Sequence, residues 1–220
     1  MGIRVLKRCN FYTSLLYTPV LLGMVMAKGS SDVILRDRLQ FEIDANGNTA
    51  LVYGRIDLSD YVSIVENKGL AIKEVRFQLR NPNTTIGNWP QIMIEDALGA
   101  TTQAYVKMFA TTTAYENVND VGIGSPNVLC IREQGSTLYV NDPGGPGQGE
   151  NLVTEHLWWG TPDLHPEGYD VVTDLLIGIA CSQVDRLADL TVELDVMLIA
   201  EPKKITQRDM TQMLTQAQDL

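Results

Sequence analysis

From Leu190 to Leu198 every second residue is aliphatic: Leu190, Val192, Leu194, Val196 and Leu198, with Thr191, Glu193, Asp195 and Met197 between them. A period of two sends alternate side chains to opposite faces, so this stretch predicts a strand with one buried face. The same period recurs at Leu39, Phe41 and Ile43, set against Gln40 and Glu42. It recurs again at Val75, Phe77 and Leu79, set against Arg76, Gln78 and Arg80. Ala50 to Ile56, Gln91 to Glu95, Gln103 to Ala110, Asn127 to Glu133, Thr137 to Asn141 and the nearly continuous apolar run Val171 to Cys181 complete a set of about nine strands. No helical repeat separates them, which disfavours βαβ units and a parallel sheet. The expectation is an all-β, antiparallel β-sandwich.

Turn chemistry punctuates the strands. Asn46-Gly47 is a hairpin signal because both residues tolerate positive φ. The surrounding Asp44-Ala45-Asn46-Gly47-Asn48 resembles a calcium loop only superficially. Counted from Asp44, glycine falls fourth instead of sixth, and Arg55 occupies the position of the bidentate acid. Gln134-Gly135-Ser136 reads as a turn between two short strands, and Asn81-Pro82-Asn83 ends another. Ala114 to Pro126 and the DPGGPGQG segment from Asp142 to Gly149 read as surface loops. The latter has no Gly-Lys-Ser/Thr and so makes no phosphate cradle.

With 220 residues, the chain suits one domain with a core of its own. Lys and Arg total 17 against 27 for Asp and Glu, a formal charge of -10 and the wrong sign for a general nucleic-acid binder. The three bases of the first 25 residues are Arg4, Lys7 and Arg8, so the remainder carries 14 bases against 27 acids. A basic start, an apolar run from Phe11 to Ala27 and small residues before Lys28 fit a secretory leader. Met26, opening the polar MAKGSSD, fits equally well as the true start. The expected organisation is a leader over 1–27, a sandwich domain over 28–202 and a helical tail over 203–220. In that tail Thr206 stands as N-cap with Asp209 three residues on, and Met210, Met213, Leu214 and Ala217 form one apolar stripe. The stripe folds back on its own domain or docks on a neighbouring subunit, and Pro202 and two lysines point the chain away toward the neighbour.

Catalytic chemistry finds little purchase. His156 and His165, with Glu155, Asp163 and Glu167 nearby, have the donors of a zinc or iron site but no fixed geometry, and the segment reads as a solvated loop. Trp158 and Trp159 read as core or interface filling, with a sugar platform as the alternative. The acid pairs Glu95-Asp96, Glu193 with Asp195, and Asp163 with Glu167 suit a solvated face more than a glycosidase cleft. There is no G-x-S-x-G elbow. Cys130 and Cys181 lie inside apolar strands, as a disulfide in an exported protein or as buried thiols in a cytosolic one. No enzyme, catalytic residue, cofactor or metal is expected.

The closing stretch GYDVVTDLLIGIACSQVDRLADLTVELDVMLIAEPKKITQRDM sets two long apolar strands and a short loop before a polar tail. Together with long loops and the sandwich pattern from Val33 to Leu220, it resembles the single jelly-roll capsid (coat) proteins of small viruses. The resemblance implies a jelly-roll sandwich with a short C-terminal helix, self-assembly into a virion shell, and contacts with other copies through Met210, Met213, Leu214, Trp158 and Trp159. It implies genome contact through Arg4, Lys7 and Arg8 if the N-terminus is retained, although this basic arm is far shorter than many such shells carry. The alternative is a secreted or surface β-sandwich binding host glycans or mediating adhesion.

Overall fold

The computed structural model describes residues 31–85, 102–141, 149–159, 167–184 and 187–216, with the backbone alone for 102, 138–141, 149–159 and 216. The leader expected over 1–27, the Gln91 to Glu95 strand, the Glu95-Asp96 pair, Asp163 and His165 lie outside the described residues, as does most of the DPGGPGQG loop. The described strands are β1 (Val33–Glu42), β2 (Thr49–Ile56), β3 (Lys68–Arg80), β4 (Thr102–Thr111), β5 (Val128–Asn141), β6 (Gly149–Trp159), β7 (Tyr169–Val171), β8 (Leu175–Ser182) and β9 (Thr191–Lys204). A C-terminal helix α1 (Gln207–Gln216) follows.

They form two antiparallel sheets, one ordered β1-β9-β3-β7 and the other β2-β8-β4-β5-β6. β1 pairs with β9, β2 with β8, β3 with β7 and β4 with β5, so the first half of the chain runs as a ribbon against the second. Successive pairs fall alternately in one sheet and the other, which is the rolled ribbon of a jelly roll; β6 widens it by one strand. The alternation read from the sequence lines the interior. Val192, Leu194, Val196 and Leu198 of β9 meet Val75, Phe77 and Leu79 of β3, Val106 and Met108 of β4, and Leu175, Ile177 and Ile179 of β8 in one core.

Several local expectations are corrected. Asn46-Gly47 makes its turn, with Gly47 at φ 69 and the Asp44 carboxylate accepting the N–H groups of Asn46 at 2.9 Å and Asn48 at 2.8 Å. It makes no hairpin, because β1 enters one sheet and β2 the other. Gln134-Gly135-Ser136 is not a turn but the middle of β5, where Gly135 pairs with Tyr105 and Glu155. A Cβ on Gly135 would come within 2.9 Å of the Tyr105 ring, so this glycine serves an aromatic contact and not a bend. Val171 to Cys181 is two strands in different sheets, β7 and β8, with the chain turning between them at 172–174. His156 belongs to β6 and not to a solvated loop. Pro202 does not end β9, since it pairs with Leu70. Beyond Ala200, β9 has lost β1 as a neighbour, so one side of the strand needs no N–H donor and proline is tolerated. The sandwich thus extends to Lys204, two residues past the expected boundary.

Candidate assembly surfaces

The two outer faces are finished differently. On the five-stranded sheet the loop between β4 and β5, with its 3-10 turn Val118–Asp120, folds back over the strands. Phe109, Val121 and Ile131 form a second small core there, with Leu51, Tyr53, Tyr115, Val118 and Val128 packed against it. Phe109 fits because its partner across the ladder is Gly178, and a Cβ at that position would run into its ring. Tyr53 and Tyr115 pin the loop: the Tyr53 hydroxyl accepts the Tyr115 N–H at 2.8 Å and donates to the Tyr115 carbonyl at 3.1 Å. Lys107 donates to the carbonyls of Val118 and Val121. A segment that reads as a long free loop is therefore a lid with its own core.

The outer face of the four-stranded sheet has no such lid among the described residues. Register places Arg36 and Arg76 on either side of Met197, Arg38 and Gln78 on either side of Asp195, and Gln40 and Arg80 on either side of Glu193. Four of the chain's ten arginines thus share one face. Arg38 grips Asp195 with both ends of its fork, at 2.5 and 3.1 Å, and reaches Glu193 at 3.5 Å. Arg80 lies 3.5 Å from Asp195 and 3.6 Å from Glu193. The hydrogen bond from Arg38 holds the Asp195 carboxyl below its ordinary range, helped by the charges of Arg38 and Arg80. Arg76 pairs with Glu74. No carboxylate lies within ion-pair distance of Arg36 among the described residues. Between these side chains runs an open groove of about 660 Å³, lined by Arg36, Arg38, Arg76, Gln78, Asp195 and Met197 among others.

At one end of the sandwich the connection from β2 to β3 forms a tight tip. Ser63 and Lys68 exchange backbone hydrogen bonds at 2.9 and 3.0 Å, the Ser63 hydroxyl accepts the Glu66 N–H, and Asn67 sits at φ 53. Ile64 and Val65 project from this closed loop, 52% and 94% exposed. The Asn67 carbonyl accepts the Ile205 N–H at 3.0 Å, which ties the tip to the C-terminal segment.

That segment answers the question of the apolar stripe. Thr206 is the N-cap, its hydroxyl accepting the Asp209 N–H at 3.3 Å and donating to the Asp209 carboxylate at 2.7 Å. The helix folds back on its own domain: Met210 is 1% exposed and clusters with Val172 and Ile205, and Val62, Met213 and Leu214 pack against them. Met210 is therefore corrected as a contact to another copy, because its own sandwich already covers it. Met213 and Leu214 are half-buried and line a small cleft with Tyr169 and Asn127. Only the backbone of Trp158 and Trp159 is described, in β6, paired with Arg132 and Ile131 of β5.

The candidate chemistry disperses. Glu155 and His156 lie at consecutive β6 positions opposite Gly135 and Gln134, Glu167 is on the chain before β7, and no cluster of three metal-ligating side chains occurs among the described residues. Cys130 and Cys181 are both free and buried. They flank β4, paired with Ala110 and Val106, so their backbones are two strand spacings apart across the sheet, about 9.6 Å, and four residues apart along it, about 13 Å, beyond disulfide reach. Burial pushes the Cys130 thiol up to about 12, the opposite of a nucleophile. No local pattern signals that the inward row of β5 turns polar, with Arg132, Gln134 and Ser136 all buried and Arg132 donating across the interior to the Phe77 carbonyl at 2.6 Å. It also hid the arginine groove, whose residues come from three distant segments. Compared with models of known protein families and with curated protein sequences, the chain matches none.

Proposed function

We propose that this chain is a structural subunit that assembles with copies of itself into a closed shell of the viral-capsid kind. The observation that carries this reading is the unequal finish of the jelly roll. One outer face is partly covered by the chain's own loop, while the other, among the described residues, leaves Ile34 at 51% exposure, Met197 half-buried and Arg36, Arg38 and Arg76 exposed. An uncovered sheet face that sets apolar side chains among charged ones is the surface a tiling subunit needs. Virion localisation, and genome contact through Arg4, Lys7 and Arg8, belong to the same proposal. Jelly rolls also serve as lectins and enzymes, so the fold alone does not decide. The Tyr105 ring, laid over Gly135 beside a cleft of about 430 Å³, favours glycan binding as the second reading. Light scattering and negative-stain microscopy on the purified chain decide. Discrete particles or rings are expected, and a monomer at all concentrations overturns the proposal.

A further inference from the structure

We infer that the tip formed by Ile64, Val65 and Glu66 docks into the arginine groove of a second copy of this chain, an inference that rests on the self-assembly reading above. The two surfaces are complementary in three respects. The tip is convex and apolar, with Val65 the most exposed of the large hydrophobic residues described, and the groove is an open trough floored by Met197. The tip and the chain leading to it are acidic on balance: Asp57, Asp60 and Glu66 are exposed, against Arg55, which acts on Asp57 and pairs with Asp174, and Lys68, which pairs with Glu66. The groove offers one open cation to meet them. Arg38, Arg76 and Arg80 are already paired with Glu193, Asp195 and Glu74, whereas Arg36, exposed beside Met197, faces no carboxylate within ion-pair distance among the described residues.

Arg36 and Arg76 stand about 9.6 Å apart at their backbones, two strand spacings, with Met197 midway. An aliphatic side chain seated on Met197 would bring the flanking Glu66 carboxylate to the open Arg36 guanidinium, which suits a carboxylate through its planar fork. The tip is also prepared for docking. Its backbone is closed by the Ser63–Lys68 exchange and anchored by Ile205, so little freedom is lost when it binds. Tip and groove are different surfaces of one chain, so the contact is heterologous and propagates from copy to copy, closing into a ring when the rotation permits.

The contact is tested by mixing two variants that each add one surface cysteine, Val65→Cys and Met197→Cys, each made with Cys9→Ser; Cys130 and Cys181 are buried and do not compete. Oxidation of the mixture is expected to give a disulfide-linked dimer containing one chain of each kind. Val65→Cys mixed with Gln103→Cys, on the other sheet's outer face, is expected to give none. As an independent arm, Arg36→Glu and Val65→Asp each raise the concentration needed for assembly by about tenfold or more, since each sets like charges or a buried charge against the partner. Both substitutions are at exposed positions, and an unchanged melting temperature of the dispersed chain verifies that folding is intact. If particles form without the selective cross-link, or if Val65→Cys links only to itself, the docking inference is wrong and the shell reading stands. If the wild-type chain stays monomeric throughout, the shell reading falls and takes this contact with it.

Discussion

Gly178 shows how a single missing side chain sets the architecture of a face. It sits opposite Phe109 in the β4·β8 ladder, and the ring occupies the space a Cβ would need, which lets Phe109 become the centre of the small core under the β4–β5 loop. Gly178→Ala is expected to cost about 1–3 kcal/mol as overpacking, measured by chemical denaturation, and to loosen that loop toward proteolysis. Asp195 makes the corresponding electrostatic point on the other face. Its carboxyl is depressed first by the hydrogen bond from Arg38 and then by the charges of Arg38 and Arg80. A depressed acid stabilises the fold above its unfolded value, about 3.9, and that contribution fades as pH falls through the folded value. Asp195→Asn should therefore melt below the wild type at neutral pH, with the gap narrowing as pH drops below about 4. A gap that stays constant from neutral pH down to about 3 would show that the pair contributes nothing to stability. Asp37 carries a different lesson. It interrupts the inward row of Val33, Leu35, Leu39 and Phe41 on an edge strand and stays exposed, its carboxylate accepting the Arg38 N–H at 2.7 Å. A charge in that row discourages another strand from adding to the edge.

At the scale of elements, α1 is the clearest case of a short helix stabilised by what it covers. Ten residues with a capping hydroxyl would be marginal alone. Met210 gives it a reason to persist, sealed against Val172 and Ile205. Met210→Ala is expected to destabilise the domain by about 2–5 kcal/mol, and truncation after Lys204 should lower the melting temperature while leaving assembly size unchanged. Loss of assembly with an unshifted melting temperature would reverse that assignment. The helix, its cap and the long alternating strands were legible in the sequence because each is written locally, in residues two, three or four apart. What escaped depended on partners distant along the chain. Asn46-Gly47 specifies a turn but not which sheet receives β2. Gly135 looks like a bend until Tyr105 is known to lie over it, and the continuous apolar run at Val171 to Cys181 conceals a crossing between sheets because both halves are buried. The arginine groove escaped for the same reason. Arg36, Arg76 and Met197 become neighbours only when β9 inserts between β1 and β3, so no window of sequence holds the site.

For the whole molecule the charge balance sets the conditions under which copies can meet. A chain of formal charge -10 repels its own kind, whereas the proposed contact of tip and groove would attract. The two effects differ in range. Repulsion between whole subunits acts through solvent and is felt across a Debye length of about 30 Å at 0.01 M salt, which shrinks to about 8 Å at 0.15 M. The contact between the Glu66 carboxylate and Arg36, once Val65 has displaced water from Met197, is local and is screened far less. Raising salt from low to physiological strength should thus remove more repulsion than attraction, and assembly should appear or accelerate over that interval. At about 1 M, where the Debye length is near 3 Å, the charged part of the contact weakens as well, leaving the apolar seat to hold the copies together. Light scattering against sodium chloride concentration should accordingly rise and then level or fall. Repeating the titration with Arg36→Glu separates the terms, because that variant makes the chain more acidic and also cancels the local attraction. Its scattering should stay low through the interval where the wild type assembles. A wild type that assembles best at the lowest salt would instead mean that attraction between charged faces dominates at long range, and the balance argued here would be inverted.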